Sequence, residues 1–596
     1  MSSDSRRLTG VTKADLCDLA NTRWEGSTKD FAEFGQSLNG AQYTDQDFVA
    51  GPASLWTSAQ NDDEGLSGIS TAAVWKRLSD LINGTDTSGA EKYYGNPQPT
   101  SWSFLGRGNL TLQSVQQRGL GDCYYLSTLA EWARYPNRWS LYAQGYNEEL
   151  GYATYRYFVG GDIRYITVDD LIPFHNYASY EVFQFYFDSV GPQGALWAVL
   201  AEKSFAKLNV NYVNIIGGNF CPVKTDTFSG PCHTYDTGSM TDDQIWEIVK
   251  NATDNQWFLS AGTQSGSNSE NNQWGVVLGH QYTLMGAFEC GSTKVMKLRN
   301  PWGSHDYSAW NQSSEYYDGI TTSCRQTLEC TQNSSVGIFC TTLDIFRQSW
   351  ASFSVAPYNE NYDLAYYKVD TSAGTATGKV NFTVSEAGPY WFGAQFPTGR
   401  VISTLCDGYP SLSLTLMQKG GSALATASAQ YSNWVFGSNK EPVELAAGDY
   451  IISYSLNPSC AGAKSAGLWV YGPEQVTLQK YVPTQSENNA QFNNVCAGRT
   501  YSPWYGINYG VAWDDPVDAN DALFCFDFAG QWGCKQAVIT VTLNNYNFVD
   551  LGDSNVVYDS SANTATITVN VGDAYHYFAQ KGGYSYSMSV NFAQCS

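Results

Sequence analysis

The sequence predicts an α+β chain: a core that mixes helices with strands, followed by one or two β-sandwich domains. Three observations predict it. Apolar residues recur at helical spacing in 123–135 and 195–212, on either side of strand-like runs. From about residue 355 that spacing stops, and short alternating runs separated by Gly, Pro and Asn take over. The length, 596 residues, calls for several domains rather than one.

Residues 1–24 are polar and read as a loose arm or short helix. The next stretch, to about 95, is turn-rich and carries "YTDQDFVAGPASLW" and then "AVWKRLSDLI" at 73–82. In 123–135, Leu126, Leu129, Ala130 and Ala133 share one face, with Asp122 as candidate N-cap. Residues 153–173 read as two strands about Gly160-Gly161. In 195–212, Trp197, Leu200, Ala201, Phe205 and Leu208 share a second helical face. After a Gly- and Ser-rich loop at 262–272 come two strand-like runs, "QWGVVLGHQYTLMGAFEC" and "TKVMKLRNPWG", with Gly291-Ser292 as a hairpin turn. Residues 356–478 form one β module, with a strand, turn and strand in "VELAAGDYIISYSLNP". Residues 479–596 form a second β-rich domain.

Charge narrows the function. The formal net charge is −23, which argues against nucleic acid as a partner, because phosphate neutralisation needs clustered Lys and Arg. No apolar stretch approaches the ~18 residues of a membrane span, and the first twenty residues lack the apolar segment of a signal peptide. Cysteine usage points the other way on compartment. There are 14 Cys, with clusters at Cys221/Cys232, Cys324/Cys330/Cys340 and Cys496/Cys525/Cys534/Cys595. N-x-S/T sequons stand at Asn83, Asn109, Asn251, Asn311, Asn333 and Asn381. Together these suit an extracellular or lumenal chain. Zinc is not supported: there is no C-x₂-C pair, and the five His are scattered.

Three residues carry candidate chemistry. Cys123, in "QQRGLGDCYYLSTLAEW", opens the first helix, where orphan N–H groups and the dipole favour a thiolate. Gly119 and Gly121 would let backbone approach a substrate, and Gln117 could offer a side-chain N–H. His280, in "GVVLGHQYTLMG", follows flexible Gly279. Asn300, in "KLRNPWG", could accept from an imidazole, with Trp302 shielding that bond. Each alone also suits a structural role: a core thiol, a hydrogen-bonded core histidine, a turn asparagine.

Joined in this order the motifs resemble the calpain family. "QRGLGDCYYLSTLA" is similar to that family's Q-G-x-x-G-D-C-[WF], with Arg118 in place of Gly and Tyr124 in place of Trp. "GHQYTLMG" and "LRNPWG" resemble its second and third motifs. "DFVAGPASL", "VWKRLSDL", "VDDLIP" and "LWAVLAEKSFAKLNVNY" extend the likeness across 25–355. "LTLMQK" and "ELAAGDYIISYSLNP" resemble the β-sandwich that follows the family's core.

The resemblance implies a papain-like core of two subdomains, about 25–212 bearing Cys123 and 213–355 bearing His280 and Asn300. It implies a cytoplasmic cysteine endopeptidase performing limited proteolysis of protein substrates. Cys123 would be the nucleophile, His280 its ion-pair partner and proton donor, and Asn300 the residue that orients His280. Gln117 and the Cys123 N–H would form the oxyanion hole. Gly218 and Gly279 would hold substrate backbone, and Trp302 would shield the pair. Membrane lipid or a partner protein could contact the β-sandwich domains.

Two Ca²⁺ ions brace the family core. Ser114 stands where one acidic ligand belongs, and the other falls near Ala195. The second site would draw on Asp306, Glu315, Asp318 and Asp344, which align poorly. Calcium is therefore possible rather than required, and no metal ligand is assigned. No EF-hand loop is visible. The alternative function is a catalytically silent binding or structural protein on this scaffold. A transglutaminase-type acyltransferase is disfavoured by Asn300 where that chemistry pairs His with Asp.

Overall fold

The computed structural model describes residues 12–595 except 25–27, 63, 83–101, 107–109, 178–181, 192–193, 305–318, 331–335, 398–408, 431–433, 437–440, 459–462, 482–501, 505–506, 513–520, 529–533, 544–547, 550–554, 560, 572–575 and 582–585. Two compact units result, Met1–Gln479 and Lys480–Ser596.

Of the two readings of the N-terminal segment, the short helix holds over the described residues, and it is anchored. The helix Lys13–Trp24 buries Leu16, Ala20 and Trp24. Its Arg23 guanidinium donates to the carbonyls of Lys207 and Val210, at 2.9 and 2.5 Å. A polar composition hid this, because only one face of the helix is apolar.

Two helices form the heart of the first half. The helix Cys123–Ala133 buries every residue from Tyr124 onward, as apolar residues on all sides demand. Tyr125 stacks on Phe205 of the helix Trp197–Leu208, with centroids 4.2 Å apart. Around them run the antiparallel strands Ala143–Asn147, Tyr152–Val159 and Asp162–Asp169. Gly160 and Gly161 turn the hairpin with φ of 59° and 90°, as a two-residue loop requires. At Gly161 a Cβ would lie 2.4 Å from the Cα of Lys368, so this tip also needs glycine to meet the β-sandwich. A further strand, Leu171–Tyr177, follows the pair expected from the sequence.

The second half is a six-stranded antiparallel sheet. Its order is Ile338–Thr342, Thr293–Arg299, Gln281–Cys290, Phe258–Thr263, Trp350–Ala356, His233–Asp236. The helix Asp242–Asp254 covers it with Ile245, Trp246, Val249 and Ala252, and Thr241 with Gln244 closes a capping box at its start. The strand expected from residue 273 begins at Gln281 instead. The Asn272 carboxamide oxygen accepts from the N–H groups of Trp274 and Val276 and curls the intervening chain into turns.

Residues 363–472 fold as a β-sandwich. One sheet holds Asp363–Asp370, Ser465–Gly472, Gly388–Gln395 and Trp434–Phe436; the other holds Ala423–Gln430, Ser411–Gln418, Gly448–Asn457 and Ala376–Val384. Gln395 fastens it to the core: its Nε2 donates to the carbonyls of Phe158 and Thr225, both at 3.1 Å, and its Oε1 accepts from Ser229 at 2.9 Å. Taken by itself, the second unit is also two antiparallel sheets, closed over Phe524, Phe526, Ile539, Val541 and Ile567.

Disulfides join Cys221–Cys232, Cys290–Cys324, Cys330–Cys340 and Cys534–Cys595, and Cys17 and Cys525 are also disulfide-bonded. Among the described residues Cys123 is the free cysteine, and no helix is long and apolar enough to cross a membrane.

Candidate active site

The loop that presents Cys123 is held from three sides. The Gln117 N–H donates to Pro301 O, the Gly119 N–H to Tyr186 O, and the Gly121 N–H to the Glu64 carboxylate, at 3.0, 3.0 and 2.9 Å. The two glycines serve this packing rather than substrate approach. A Cβ at Gly121 would fall 2.2 Å from Glu64 Oε1, and one at Gly119 3.0 Å from Tyr186 O. Asp122 occupies the N-cap position, yet its side chain makes no capping bond. It turns inward instead, fully buried.

His280 enters from the neighbouring sheet. Its N–H donates to Thr263 Oγ1 at 2.9 Å, and its Nε2 lies 2.9 Å from Asn300 Oδ1. The Trp302 N–H reaches the same Oδ1 at 3.0 Å. Two donors converging on one oxygen place the imidazole proton on Nε2 and leave Nδ1 as a base. Trp302 covers the ring at 4.8 Å between centroids, and Tyr282 meets it edge-on at 5.1 Å. Asn300 is itself fixed, its N–H donating to Gly337 O at 3.0 Å.

The two halves meet at the sulphur. The Gln281 N–H, next to His280, acts on the Cys123 thiol and favours its thiolate. Burial pushes the Cys123 thiol up to about 12, against the pull of the Gln281 and Tyr124 N–H groups. Cys123 as a residue keeps some solvent exposure, which tempers that burial. Burial also lowers His280 to about 4, opposed by its bond to Asn300. Each group taken singly is therefore neutral, and an ion pair requires proton transfer between them.

The remaining predicted residues surround this centre. Gln117 is buried, with Nε2 donating to Leu120 O at 2.6 Å and a second amide hydrogen left over. Gly218 is exposed beside the nucleophile loop, where the neighbouring Gly217 N–H bonds Gly121 O at 2.7 Å. Gly279 is exposed before His280 with φ 57°, and a Cβ there would strike Gly266 O at 2.3 Å.

Sequence reasoning missed Arg299. Its fully buried guanidinium donates through Nη2 to Val115 O at 2.5 Å and through Nε to Val336 O at 3.0 Å. It thereby ties the segment carrying Gln117 to the loop behind Asn300. Glu64 and Tyr282 were missed as well. No local signal in the sequence points to any of the three.

Residues 43–356 match the profile of the calpain family cysteine proteases. The chain belongs to the calpain family. Among its calpain relatives, the calpain-type cysteine protease ADL1 of Oryza sativa subsp. japonica is 27% identical over 324 residues, which cover 52% of this chain and 14% of that protein. Calpain-8 of Rattus norvegicus is 24% identical over 390 residues, 61% of this chain and 50% of the relative. Calpain-14 of Homo sapiens is 27% identical over 237 residues, 38% and 33% respectively. The chain thus spans half or less of the length of these calpains.

The calpain calcium position next to the nucleophile loop does not fit a calcium ion here. Ser114 is buried and its hydroxyl has no partner, Ala195 is apolar, and the Arg299 cation already occupies the adjacent Val115 carbonyl. Of the candidates for the second site, Asp306, Glu315 and Asp318 lie outside the described residues. Asp344 starts a helix and accepts from Gln348 at 2.9 Å. No group of three or more His, Cys, Asp or Glu that could hold a metal occurs among the described residues.

Proposed function

We propose that this calpain-family chain is a cysteine endopeptidase that cleaves protein substrates without a calcium ion beside its nucleophile loop. The observation that supports it most is the hydrogen bond from His280 Nε2 to Asn300 Oδ1, on a residue whose immediate neighbour, Gln281, turns its N–H on the Cys123 thiol. The thiol proton passes to His280 Nδ1 as the sulphur attacks the scissile carbonyl carbon. The oxyanion that forms is met by the Cys123 N–H, an orphan at the helix start, and by Gln117 Nε2. His280 then gives its proton to the leaving amine as the C–N bond breaks, leaving a thioester. Water, deprotonated by His280, hydrolyses the thioester and restores the thiol. Arg299 supplies the fixed cation that joins the two halves of the site, which is the support for calcium-free assembly.

Cys123→Ala abolishes cleavage of an unstructured protein in this reading. Unchanged turnover in that variant overturns it, and no turnover in the unmutated chain favours the silent scaffold instead.

The working compartment is proposed to be oxidising. Four disulfides with both halves described, three of them in the protease core, support this over the cytoplasm of the family resemblance. Intact-mass analysis of the native secreted or lumenal protein after alkylation without reductant tests it. Cys221, Cys232, Cys290, Cys324, Cys330 and Cys340 should stay unmodified, and labelling of all six contradicts the proposal.

A further inference from the structure

Three carboxyl groups are buried together beneath Cys123. Asp122, Asp188 and Glu202 expose 0%, 1% and 2% of their surface. Their partners are unequal. Asp188 Oδ1 accepts from the Gln116 N–H at 2.8 Å, and the Arg118 and Arg299 cations draw on it. Both Glu202 oxygens accept from the Asp188 N–H, at 3.0 and 3.2 Å. Asp122 has no such donor from another residue: the N–H beside its carboxyl is its own. What it faces is the Glu202 carboxyl.

Two bare carboxylates in contact and out of water repel each other with nothing to offset the loss of hydration. The hydrogen that can bridge them is a carboxyl proton. We propose that Asp122 and Glu202 share one proton, and that this acid–carboxylate pair is a positioning device for the nucleophile. Asp122 immediately precedes Cys123, and Glu202 lies on the rigid helix Trp197–Leu208. The shared hydrogen fixes the start of the nucleophile helix to that scaffold. It also keeps a second negative charge from the place where the thiolate must form.

The surroundings reinforce protonation. Glu64 approaches from the Gly121 side, Asp188 from the strand Asp188–Ser189, and Tyr212 from the turn Tyr212–Ile215. The strand Gln281–Cys290 contributes the Gln281 N–H to Cys123, preceded by His280. The nearest cations, Arg118 and Arg299, act on Asp188. Burial first, then the neighbouring carboxylates, raise both Asp122 and Glu202 well above their ordinary range.

The inference rests on the protease reading only for its purpose, and its test needs no peptide cleavage. The unfolded chain loses these protons near 3.8 and 4.5, while the folded pair retains one. Stability from this pair is therefore present at low pH and lost as pH rises toward the folded value. In the full chain, Asp122→Asn and Glu202→Gln each supply a permanent amide hydrogen in place of the proton. Both variants should show a flatter fall of melting temperature between pH 5 and 8 than the unmutated protein. Asp122→Ala removes the bridge, and iodoacetamide should then alkylate Cys123 at least about ten-fold more slowly, the scale of a lost charged hydrogen bond, with the rate rescued in Asp122→Asn. Melting curves for Asn and Gln variants parallel to the unmutated one overturn the shared proton. Alkylation of Asp122→Ala at the unmutated rate overturns the positioning role. A protein that titrates as stated but cleaves nothing refutes the protease reading alone.

Discussion

Asn300 holds His280 through one hydrogen bond, and that bond is the imidazole's described tie to a polar side chain. Losing a hydrogen bond to a charged imidazolium costs about 1.5–3 kcal/mol. Asn300→Ala should accordingly lower kcat/KM by roughly 10- to 100-fold with the fold intact, read by steady-state proteolysis beside circular dichroism. A second residue-scale prediction concerns Asp45. Burial alone would raise its carboxyl, but Lys207, Lys203 and the Phe48 N–H hold it below the ordinary value of 3.8. Burial also lowers Lys207, so the two partners pull in opposite senses. The charged pair is retained because Lys207 Nζ bonds both Asp45, at 2.7 Å, and Thr167 O, at 2.8 Å. Asp45's contribution is thus complete above pH 3.8 and lost as pH falls through its lower folded value. Lys207→Met should destabilise the protein by about 3–5 kcal/mol at neutral pH, measured by denaturant unfolding, because it strands a buried carboxylate.

At the scale of elements, the chain from Ile320 to Cys340 is stapled twice, to Cys290 on one strand and between Cys330 and Cys340. That segment carries Val336 and Gly337, whose carbonyls accept from Arg299 and Asn300. The Cys290–Cys324 bridge closes 34 residues. The paired Cys290→Ser/Cys324→Ser change should cost about 3–4 kcal/mol of unfolding free energy by loop entropy. An unchanged melting temperature would contradict that brace. These pairings show what is legible in sequence and what is not. Cys221 and Cys232 lie eleven residues apart and stand out as a pair, whereas Cys290–Cys324 needs the hairpin to bring strand and helix together. The helices at Cys123 and Trp197 were readable because their apolar faces repeat at helical spacing. The false strand start at residue 273 arose because Val276 and Val277 are buried within turns made by the Asn272 side chain. Asp122 was read as a helix cap from its position, but its side chain makes no capping bond and is fully buried. Arg299 and Glu64 carry no local pattern, since their partners are backbone groups distant in sequence.

At the scale of the molecule, the calpain-family core and the β-sandwich of 363–472 share one compact unit through Gln395 and the Gly161 tip, while Arg138 ties down the segment that connects them. Arg138 reaches Glu360 at 2.5 Å, and Gln395 serves three partners. The core's own halves are joined by the Arg299 guanidinium, by Gln117 N–H to Pro301 O, and by Thr283 Oγ1 to Ser127 O at 2.8 Å. That such bonds close the site supports the proposal that no divalent ion is needed there, which is the central claim. Casein turnover by the full chain, with EDTA, with added calcium, and beside Cys123→Ala, tests it most directly. The account predicts cleavage that EDTA leaves within about two-fold, well under the tenfold that 1.4 kcal/mol represents, and that Cys123→Ala abolishes. Cleavage that vanishes with EDTA and returns with calcium, or that persists in Cys123→Ala, would contradict it.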